Sequence, residues 1–216
     1  LRLSNVPASS PTLDAIQAAA ARRGLLTVRD QQFLCSTLLV DGHTDEVRRL
    51  ANKRSLRRPE NYFGRGGHLR VQDHRQQREI LPLLDAFFEQ HVERHRLKHG
   101  GSLFDDARNR DFYRRLVAAL DGTGWLLFSV TAVDDRPLAF HFGFDYNGVV
   151  TWYKPSFDVV RGQHSPGLMM VRHLMQYAVD HGRRELDFTI GDEPFKRRFT
   201  NAMRQTQRLQ VFRQPR

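Results

Sequence analysis

The chain has 216 residues, with 34 Lys and Arg against 24 Asp and Glu, and a formal net charge of +10. An apolar content of 40% with 15 Phe excludes an intrinsically disordered chain, and the length suits one large domain or two small ones. The longest uncharged apolar stretch, residues 125–133, is far shorter than the roughly 20 residues of a membrane helix. A single cysteine, Cys35, excludes an internal disulfide and a zinc site of several cysteines. We therefore predict a soluble, cytoplasmic protein.

The N-terminal third predicts a mixed α/β segment. The chain opens at Leu1, and residues 1–7 have the pattern of a strand, so we expect that a preceding part of the protein is missing. The predicted elements are a helix after Pro11, a strand over 33–40, a helix from Thr44 that ends before Pro59, and a strand over 68–71. A soft boundary near Asp73 divides residues 1–73 from residues 74–216.

Positive charge is concentrated in residues 48–70. Glu60 is the one acidic residue among eight cations in this segment, which are Arg48, Arg49, Lys53, Arg54, Arg57, Arg58, Arg65 and Arg70. Such a segment indicates an anionic partner, and nucleic acid, an acidic membrane surface and a phosphorylated cofactor all qualify. The simpler alternative is a solvated helix face and the loop that follows it.

The rest of the chain predicts the element order α-α-β-β-β-α-β-α-β. The first helix tolerates Pro82 because it lies in the first turn, and Phe112, Leu116 and Ala119 share one face of the second helix. Asn147-Gly148 is typical of a two-residue hairpin turn. The predicted elements are helices over 78–97 and 106–120, strands over 125–133, 138–145 and 149–154, a helix over 165–181, a strand over 185–190, a short helix after Pro194, and a strand over 209–212.

A motif follows the third strand of this series. Ser165-Pro166-Gly167 precedes a helix, and the string D-F-x-x-G-D-E-P-F-K-x-R-F runs from Asp187 to Phe199. With the element order, it resembles the GNAT acyltransferase core, and closely the acetyltransferase domain of CelD-like cellulose and exopolysaccharide biosynthesis proteins. Those proteins are relatives of the Fem-type peptidoglycan aminoacyl ligases, which carry a similar Phe-Lys-x-x-Phe segment. The resemblance covers roughly residues 75–212.

The resemblance implies a fold and a division of the chain. The implied fold class is α+β (mixed α/β), with a central, mostly antiparallel sheet flanked by helices. Residues 74–216 would form the GNAT-type acyltransferase domain, and residues 1–73 a partial, truncated GNAT-like segment.

The resemblance also implies where the acyl donor binds. Small residues at a helix start let backbone N–H groups approach a phosphate, and the helix dipole favours the anion. GNAT proteins hold the diphosphate of coenzyme A there, commonly through a Q/R-x-x-G-x-G/A turn. Aligning Gly167 with the last position of that turn puts Ser165 where glycine is usual and Gly162 where Gln or Arg is usual, so the match is imperfect. The predicted residues for acetyl-CoA, or another acyl-CoA, are Arg161, Gly162, Gln163, Ser165, Pro166 and Gly167.

A purely structural alternative accounts for the same turn. Ser165 would be an N-cap and Pro166 the first residue of an ordinary helix, because both residue types are common at those positions.

Three residues are candidates for the chemistry. Lys196 would stabilise the oxyanion of acyl transfer or bind an anionic acceptor, and the alternative is a solvated basic helix end. Asp187 would be a general base or a carboxylate at a sheet edge. His141 would be a catalytic base or a structural histidine. Glu193 and Arg198 are predicted to bind substrate, although Glu193 near a helix start also complements the helix dipole.

Other features carry simpler predictions. His91, His95 and His99 recur at i, i+4 and i+8, and without a carboxylate shell they predict an exposed helix face rather than a metal site. Cys35 lies in an apolar strand, which indicates core packing. Residues 64–67 lack the Lys-Ser/Thr of a P-loop and the third glycine of a dinucleotide fold, which excludes both motifs. We predict no metal cofactor.

These observations favour an acyltransferase. An amine or hydroxyl of a sugar- or glycan-type acceptor would attack the thioester of acetyl-CoA directly, and the lone cysteine in a core strand argues against a covalent thiol route. The first alternative is Fem-like aminoacyl transfer from charged tRNA, with the basic helix over 48–58 as the contact. The second is a nucleic-acid-binding protein or a non-catalytic scaffold, although no helix-turn-helix or RNA-recognition signature is present.

Overall fold

The computed structural model describes residues 1–191 and 193–213, with the backbone alone for residues 97–99. Its strands are β1 (Arg2–Pro7), β2 (Leu26–Leu39), β3 (Leu69–His74), β4 (Leu126–Val133), β5 (Arg136–Tyr146), β6 (Val149–Phe157), β7 (Glu185–Ile190) and β8 (Ala202–Phe212). Its α-helices are α1 (Pro11–Ala21), α2 (Thr44–Ala51), α3 (Arg54–Phe63), α4 (Gln77–Ile80), α5 (Leu84–His99), α6 (Ala107–Ala119), α7 (Pro166–Asp180) and α8 (Pro194–Arg197). The strands pair mostly antiparallel and helices flank them, so the predicted mixed α/β class is confirmed.

Contacts divide the chain into two units. The smaller unit comprises Leu1–Leu38 and Asp187–Arg216, and the larger unit comprises Leu39–Leu186. The boundary that the sequence predicts near Asp73 stays a prediction. Within the described residues, no helix has the length and the apolar content that crossing a membrane requires.

The smaller unit is a set of long strands with one full helix. Its strands lie in the order β1-β8-β2-β7, and β2 and β8 pair antiparallel over most of their length. Both strands extend well beyond the predicted 33–40 and 209–212, because the pairing continues through polar residues that carry no apolar signal. The helix α1 begins at Pro11, after Ser10, whose Oγ accepts a hydrogen bond from the Thr12 N–H at 3.3 Å.

The larger unit contains the predicted antiparallel strands. Strands β3, β4, β5 and β6 pair in that order, and the first residues of β7 follow β6. Asn147-Gly148 forms the predicted two-residue turn, with φ of 48° and 74°. Asp134 and Asp135 form a second such turn, with φ of 47° and 65°, so β5 begins at Arg136 and not at the predicted residue 138.

The core of the larger unit is aromatic. Helices α5 and α6 pack against β4 and β5 through side chains that are almost wholly buried, which are Phe87, Phe88, Phe104, Tyr113, Phe128, Phe140 and Phe142. Removing each such ring from water contributes about 1.5–3 kcal/mol to stability. Several pairs also meet edge to face, for example Phe87 and Phe128 at 5.8 Å between ring centroids.

Two prolines change the predicted helix boundaries. The helix from Thr44 was expected to end before Pro59, but a break at Asn52 and Lys53 starts the new helix α3, which contains Pro59. That ring is buried, and its missing N–H removes only one intrahelical bond. Pro82 interrupts the predicted helix over 78–97, because a 3₁₀ turn at Leu81–Leu83 separates α4 from α5.

Two helix faces differ from prediction. Phe112 was expected in the core, but it is 57% exposed and its neighbour Tyr113 is buried. Apolar residues lie on two faces of α6, so their spacing alone does not show which face is buried. Packing against the aromatic core buries the face that carries Tyr113. The predicted exposed face of α5 is also wrong, because His91 is buried. Burial lowers the pKa of His91 to about 3, while the side chain of His99 lies outside the described residues.

Candidate active site

The loop before α7 is built from tight turns. A 3₁₀ turn at Gly162–His164 leads to Ser165, whose φ of 56° and ψ of 52° are left-handed, and Pro166 is the first residue of α7. Ser165 is the N-cap residue of α7 and Pro166 its first residue, as the structural alternative predicts, but the Ser165 side chain makes no capping hydrogen bond. A left-handed serine costs conformational energy, and the surrounding turns hold it in place.

These turns use several of the loop's own N–H groups. The N–H groups of Gly162, His164, Ser165 and Leu168 donate to carbonyls within the loop at 2.9–3.1 Å. The loop is therefore rigid, but these four donors are already engaged. An anion held here would rely on the remaining backbone donors and on cationic side chains nearby.

The ring of Phe157 is the floor of this loop. A Cβ at Gly167 would lie 3.3 Å from the Phe157 ring, so any side chain there makes a tight contact that the ring must move to relieve. On α5, the guanidinium of Arg94 lies 4.5 Å from the centroid of the same ring and donates to the Pro155 carbonyl at 2.5 Å. Arg161 is held by Asp158 through an ion pair of 2.5 Å.

A cavity of about 780 Å³ opens beside the loop. It is lined on one side by the end of α3 and on the other by the loop and the β4–β5 turn. We call it the arginine cavity; the lining residues that matter below are Tyr62, Arg65, Arg136, Arg161, Gln163 and His164. The rings of Tyr62 and His164 stack at 3.6 Å between centroids.

Lys196 lies in the smaller unit and is buried, with 4% of its surface exposed. Its Nζ donates to the Ile190 carbonyl at 2.8 Å and pairs with Glu193 Oε2 at 2.7 Å. The alternative of a solvated helix end is therefore wrong. An ammonium has three donors, and a longer contact to the Gly191 carbonyl at 3.5 Å engages the third. Arg198 is exposed and lies over the Phe199 ring at 5.2 Å.

The end of β7 is strained next to this lysine. Thr189 has a φ of 60°, which is unusual for a β-branched residue, and its N–H donates to Asp187 Oδ1 at 2.7 Å. The Asp187 carboxylate thus stabilises a local turn. Cys35 is buried as predicted, and burial, followed by the charge of Asp187, raises the pKa of its thiol. Asp192 of the motif lies outside the described residues.

His141 is fully buried in the larger unit. Its Nε2 lies 3.0 Å from the Thr151 carbonyl, and its ring stacks on Trp152 at 5.3 Å. A Cβ at Gly143 would lie 2.2 Å from the ring, so glycine makes room for it. Burial lowers the pKa of His141 to about 4, which leaves the ring neutral near pH 7. Its Nδ1 has no hydrogen-bond partner in the described structure.

A polar row that sequence reasoning missed lies near His141. Asp73 accepts from Ser129 Oγ at 2.6 Å and faces His173 Nε2 at 2.9 Å. Burial raises the pKa of Asp73, but the hydrogen bonds from His173 and Ser129 outweigh it and leave that pKa lowered. These residues are up to 100 positions apart, so local spacing carries no signal for them. Arg94 was missed for the same reason.

The predicted site residues thus form two groups. Arg161, Gly162, Gln163, Ser165, Pro166 and Gly167 come together at the start of α7, in the larger unit with His141. Lys196, Asp187, Glu193 and Arg198 lie at and after the end of β7, in the smaller unit. In the described residues, no group of three or more His, Cys, Asp or Glu side chains is arranged to hold a metal ion.

Comparison with known families decides the identity of this fold. A family model described as an acetyltransferase (GNAT) domain matches residues 51–197, more than half of the chain. The chain belongs to this GNAT acetyltransferase family. The match begins at the end of α2 and stops one residue after Lys196, so it contains both groups of predicted residues except Arg198. No curated protein matches the chain.

Solved structures share the fold at low sequence identity. One is the C-terminal domain of a protein described as a lysylphosphatidylglycerol synthetase, from Agrobacterium fabrum, with a TM-score of 0.64, 11% identity, and coverage of 96% of this chain and 66% of that chain. FemX gives 0.63 at 13% identity, covering 96% and 71%. L-PGS from Bacillus licheniformis gives 0.58 at 13% identity, covering 99% and 68%. This GNAT domain therefore spans about two thirds of the length of these structures, and the likeness shows the fold alone.

Proposed function

We propose that this GNAT domain transfers an acetyl group from acetyl-CoA to an amine or hydroxyl of a sugar-type acceptor, in the cytoplasm. The match of residues 51–197 to an acetyltransferase family carries the proposal. The CelD-like motif from Asp187 to Phe199 is the reason for a sugar acceptor rather than another amine or alcohol.

The start of α7 suits the diphosphate of coenzyme A. Gly167 leaves the helix start without a side chain, and the positive end of the α7 dipole favours an anion there. Arg161 and the arginine cavity supply positive charge beside it. These side chains offset the loss of loop donors to internal turns, and they account for a loop that departs from the usual Q/R-x-x-G-x-G/A pattern.

Lys196 suits the oxyanion that develops on the acetyl carbonyl. Glu193, the Ile190 carbonyl and, at a longer distance of 3.5 Å, the Gly191 carbonyl fix the position of its Nζ at the end of β7. A fixed, buried cation stabilises a developing negative charge more than a mobile one in water, because it needs no reorganisation. Lys196 is thus the residue we assign to catalysis, with Glu193 as its positioning residue.

Direct attack by the acceptor suits the state of the cysteine. A covalent route would need the Cys35 thiolate, and burial raises the pKa of that thiol. The acceptor oxygen or nitrogen would bond to the carbonyl carbon, the carbon–sulfur bond would break, and the acceptor proton would leave through a base or water to protonate the CoA thiolate.

A steady-state assay of thiol release tests this proposal. The chain is incubated with acetyl-CoA and a panel of amino sugars and sugar alcohols, and free CoA is measured with a thiol reagent. We expect acceptor-dependent release that Cys35→Ser leaves intact. Release that no acceptor stimulates would contradict the proposal, and release that Cys35→Ser abolishes would contradict direct attack.

One surface favours aminoacyl transfer from charged tRNA as a second candidate. Helices α2 and α3 expose six cations, which we call the basic surface: Arg48, Arg49, Lys53, Arg54, Arg57 and Arg58. Among the described residues none of the six forms an ion pair, so their charge is available to a polyanion. RNA binding whose affinity falls steeply with salt would favour this candidate.

A further inference from the structure

We propose that the arginine cavity binds the adenosine 3′,5′-bisphosphate end of the acyl donor, with Arg65 and Arg136 on its 3′-phosphate and Tyr62 against its base. This inference rests on the proposed use of acetyl-CoA and deepens it. All the residues involved belong to the larger unit.

The charges of the residues that line the cavity indicate an anionic ligand. Arg65, Arg136 and Arg161 line it against a single carboxylate, Asp134, which accepts a hydrogen bond from the His68 N–H at 2.8 Å. Arg161 is paired with Asp158, but Arg65 and Arg136 are exposed and form no ion pair with any described residue. Two guanidinium groups facing one open cavity provide the forked donors that phosphate oxygens accept.

The exposed aromatic side chain in the cavity indicates a ligand with a flat ring. Tyr62 is 49% exposed and its inner face rests on His164, so its other face is open. Phe63 meets the Tyr62 ring edge-on at 5.1 Å and holds it upright. An exposed aromatic ring that packing holds in place is a platform for a nucleobase, and stacking of this kind tolerates different bases.

The cavity lies beside the proposed diphosphate site, and this position favours the nucleotide of the acyl donor as its ligand. Gln163 and His164 line the cavity and lie within four residues of Gly167, where the proposed diphosphate meets α7. A nucleotide joined to that diphosphate would reach the cavity without crossing another element. The volume of about 780 Å³ lies within the range of small-molecule sites. The 3′-phosphate of coenzyme A then explains why the cavity carries more positive charge than a diphosphate alone requires.

Binding of CoA and dephospho-CoA to the full chain tests the phosphate assignment. Calorimetry should show that the wild type prefers CoA, because dephospho-CoA lacks the 3′-phosphate. Arg65→Gln with Arg136→Gln should weaken CoA about tenfold or more and leave dephospho-CoA within about twofold, so the preference disappears. The matched control is Arg96→Gln with Arg115→Gln, which removes two exposed arginines of the same unit that form no ion pair with a described residue, and it should keep the preference.

Adenosine 3′,5′-bisphosphate and UDP are the probes for the base. The bisphosphate should bind alone, and Tyr62→Leu should weaken it about tenfold, as expected for one lost stacking contact. A cavity that binds no bisphosphate, or a double variant that keeps the preference for CoA, would overturn the inference. UDP binding that the double variant abolishes, with the bisphosphate excluded, would overturn it in favour of a nucleotide-linked acceptor.

The two proposals fail separately. A wild type that turns over acetyl-CoA, with an unchanged KM in Arg65→Gln with Arg136→Gln, would overturn the cavity assignment alone. A chain that binds the bisphosphate through these arginines and transfers no acetyl group would support the cavity assignment and contradict the proposed function.

Discussion

The region around Lys196 and the arginine cavity both present cations to a proposed negative charge, but they do so in opposite ways. Lys196 is buried and holds two fixed partners, whereas Arg65 and Arg136 are exposed and form no ion pair with any described residue. A buried, fixed cation suits a charge that appears during a reaction, and open cations suit a ligand that arrives already charged. The difference separates a candidate for catalysis from a candidate for binding.

Lys196→Met is the variant with the largest expected effect. Removing the fixed ammonium should lower kcat about a hundredfold or more while the KM for acetyl-CoA changes little, because the lost interaction forms mainly in the transition state. The melting temperature should also fall, because the Ile190 carbonyl loses its buried donor.

Glu193→Gln is the matched control for Lys196→Met. It removes the ion pair that positions the ammonium but keeps the ammonium and its bond to Ile190, so kcat should fall, but less than in Lys196→Met. If kcat in Lys196→Met falls only as far as the folded fraction of the variant does, Lys196 has a structural role. The contrast with the cavity is then no longer one between catalysis and binding.

The pH dependence of the free energy of unfolding tests whether His141 is buried in its neutral form. Its folded pKa of about 4 lies below the ordinary 6.5, so only the unfolded chain takes up the proton as pH falls from 6.5 to 4. Stability should therefore decrease across that window, by an amount on the order of 3 kcal/mol for this histidine. Urea unfolding of the wild type and of His141→Gln measures it, and the variant should lose less stability between the two pH values.

His91 contributes in the same window, because burial lowers its pKa to about 3, so the variant should retain part of the slope. His43→Gln removes an exposed histidine and serves as the control. Equal slopes in the wild type and in His141→Gln would show that His141 is protonated in the folded chain.

Substitutions at Gly167 test whether the loop before α7 binds acetyl-CoA. Gly167→Val should weaken acetyl-CoA about ten- to hundredfold, because a side chain blocks the approach of a phosphate to the backbone. Gly167→Ala should give a smaller loss, because its Cβ would meet the Phe157 ring at 3.3 Å and the ring must shift by a few tenths of an ångström. A folded Gly167→Val variant with wild-type affinity in calorimetry would place the donor elsewhere.

Substitutions on the basic surface have the smallest expected effect on the affinity for acetyl-CoA. Arg54, Arg57 and Arg58 do not line the arginine cavity, so their joint replacement by Gln should leave acetyl-CoA affinity within about twofold. If the chain binds RNA through them, the slope of log affinity against log salt should shrink by about three. A large loss of acetyl-CoA affinity would show that open cations act at long range and not through a defined cavity.

The parts of the fold that were predicted correctly depend on local pattern. Strand β4 follows from a nearly continuous apolar run, β5 and β7 follow from alternation, and Asn147-Gly148 follows from turn chemistry, because all these signals lie within a few residues. The burial of Lys196 and His91 was not predictable in this way. Each lies on a helix between an apolar and a polar neighbour, and only the tertiary packing decides which face is covered.

The candidate site was predictable only in part. Gly167 and the segment around Lys196 stand out as a motif in the chain, but the arginine cavity joins Tyr62 and Arg65 to residues near 136 and 161–164. No spacing rule connects positions that far apart. The same holds for Arg94, whose contact with the Phe157 ring depends on how α5 packs against β6.

Calorimetric titration of acetyl-CoA and of a short RNA acceptor-end mimic into the wild-type chain tests the proposed function most directly. We expect saturable binding of acetyl-CoA, weakened in Gly167→Val, and no binding of the RNA mimic at physiological salt. Tight binding of the RNA mimic, weakened by replacing Arg54, Arg57 and Arg58, together with no detectable binding of acetyl-CoA, would contradict it.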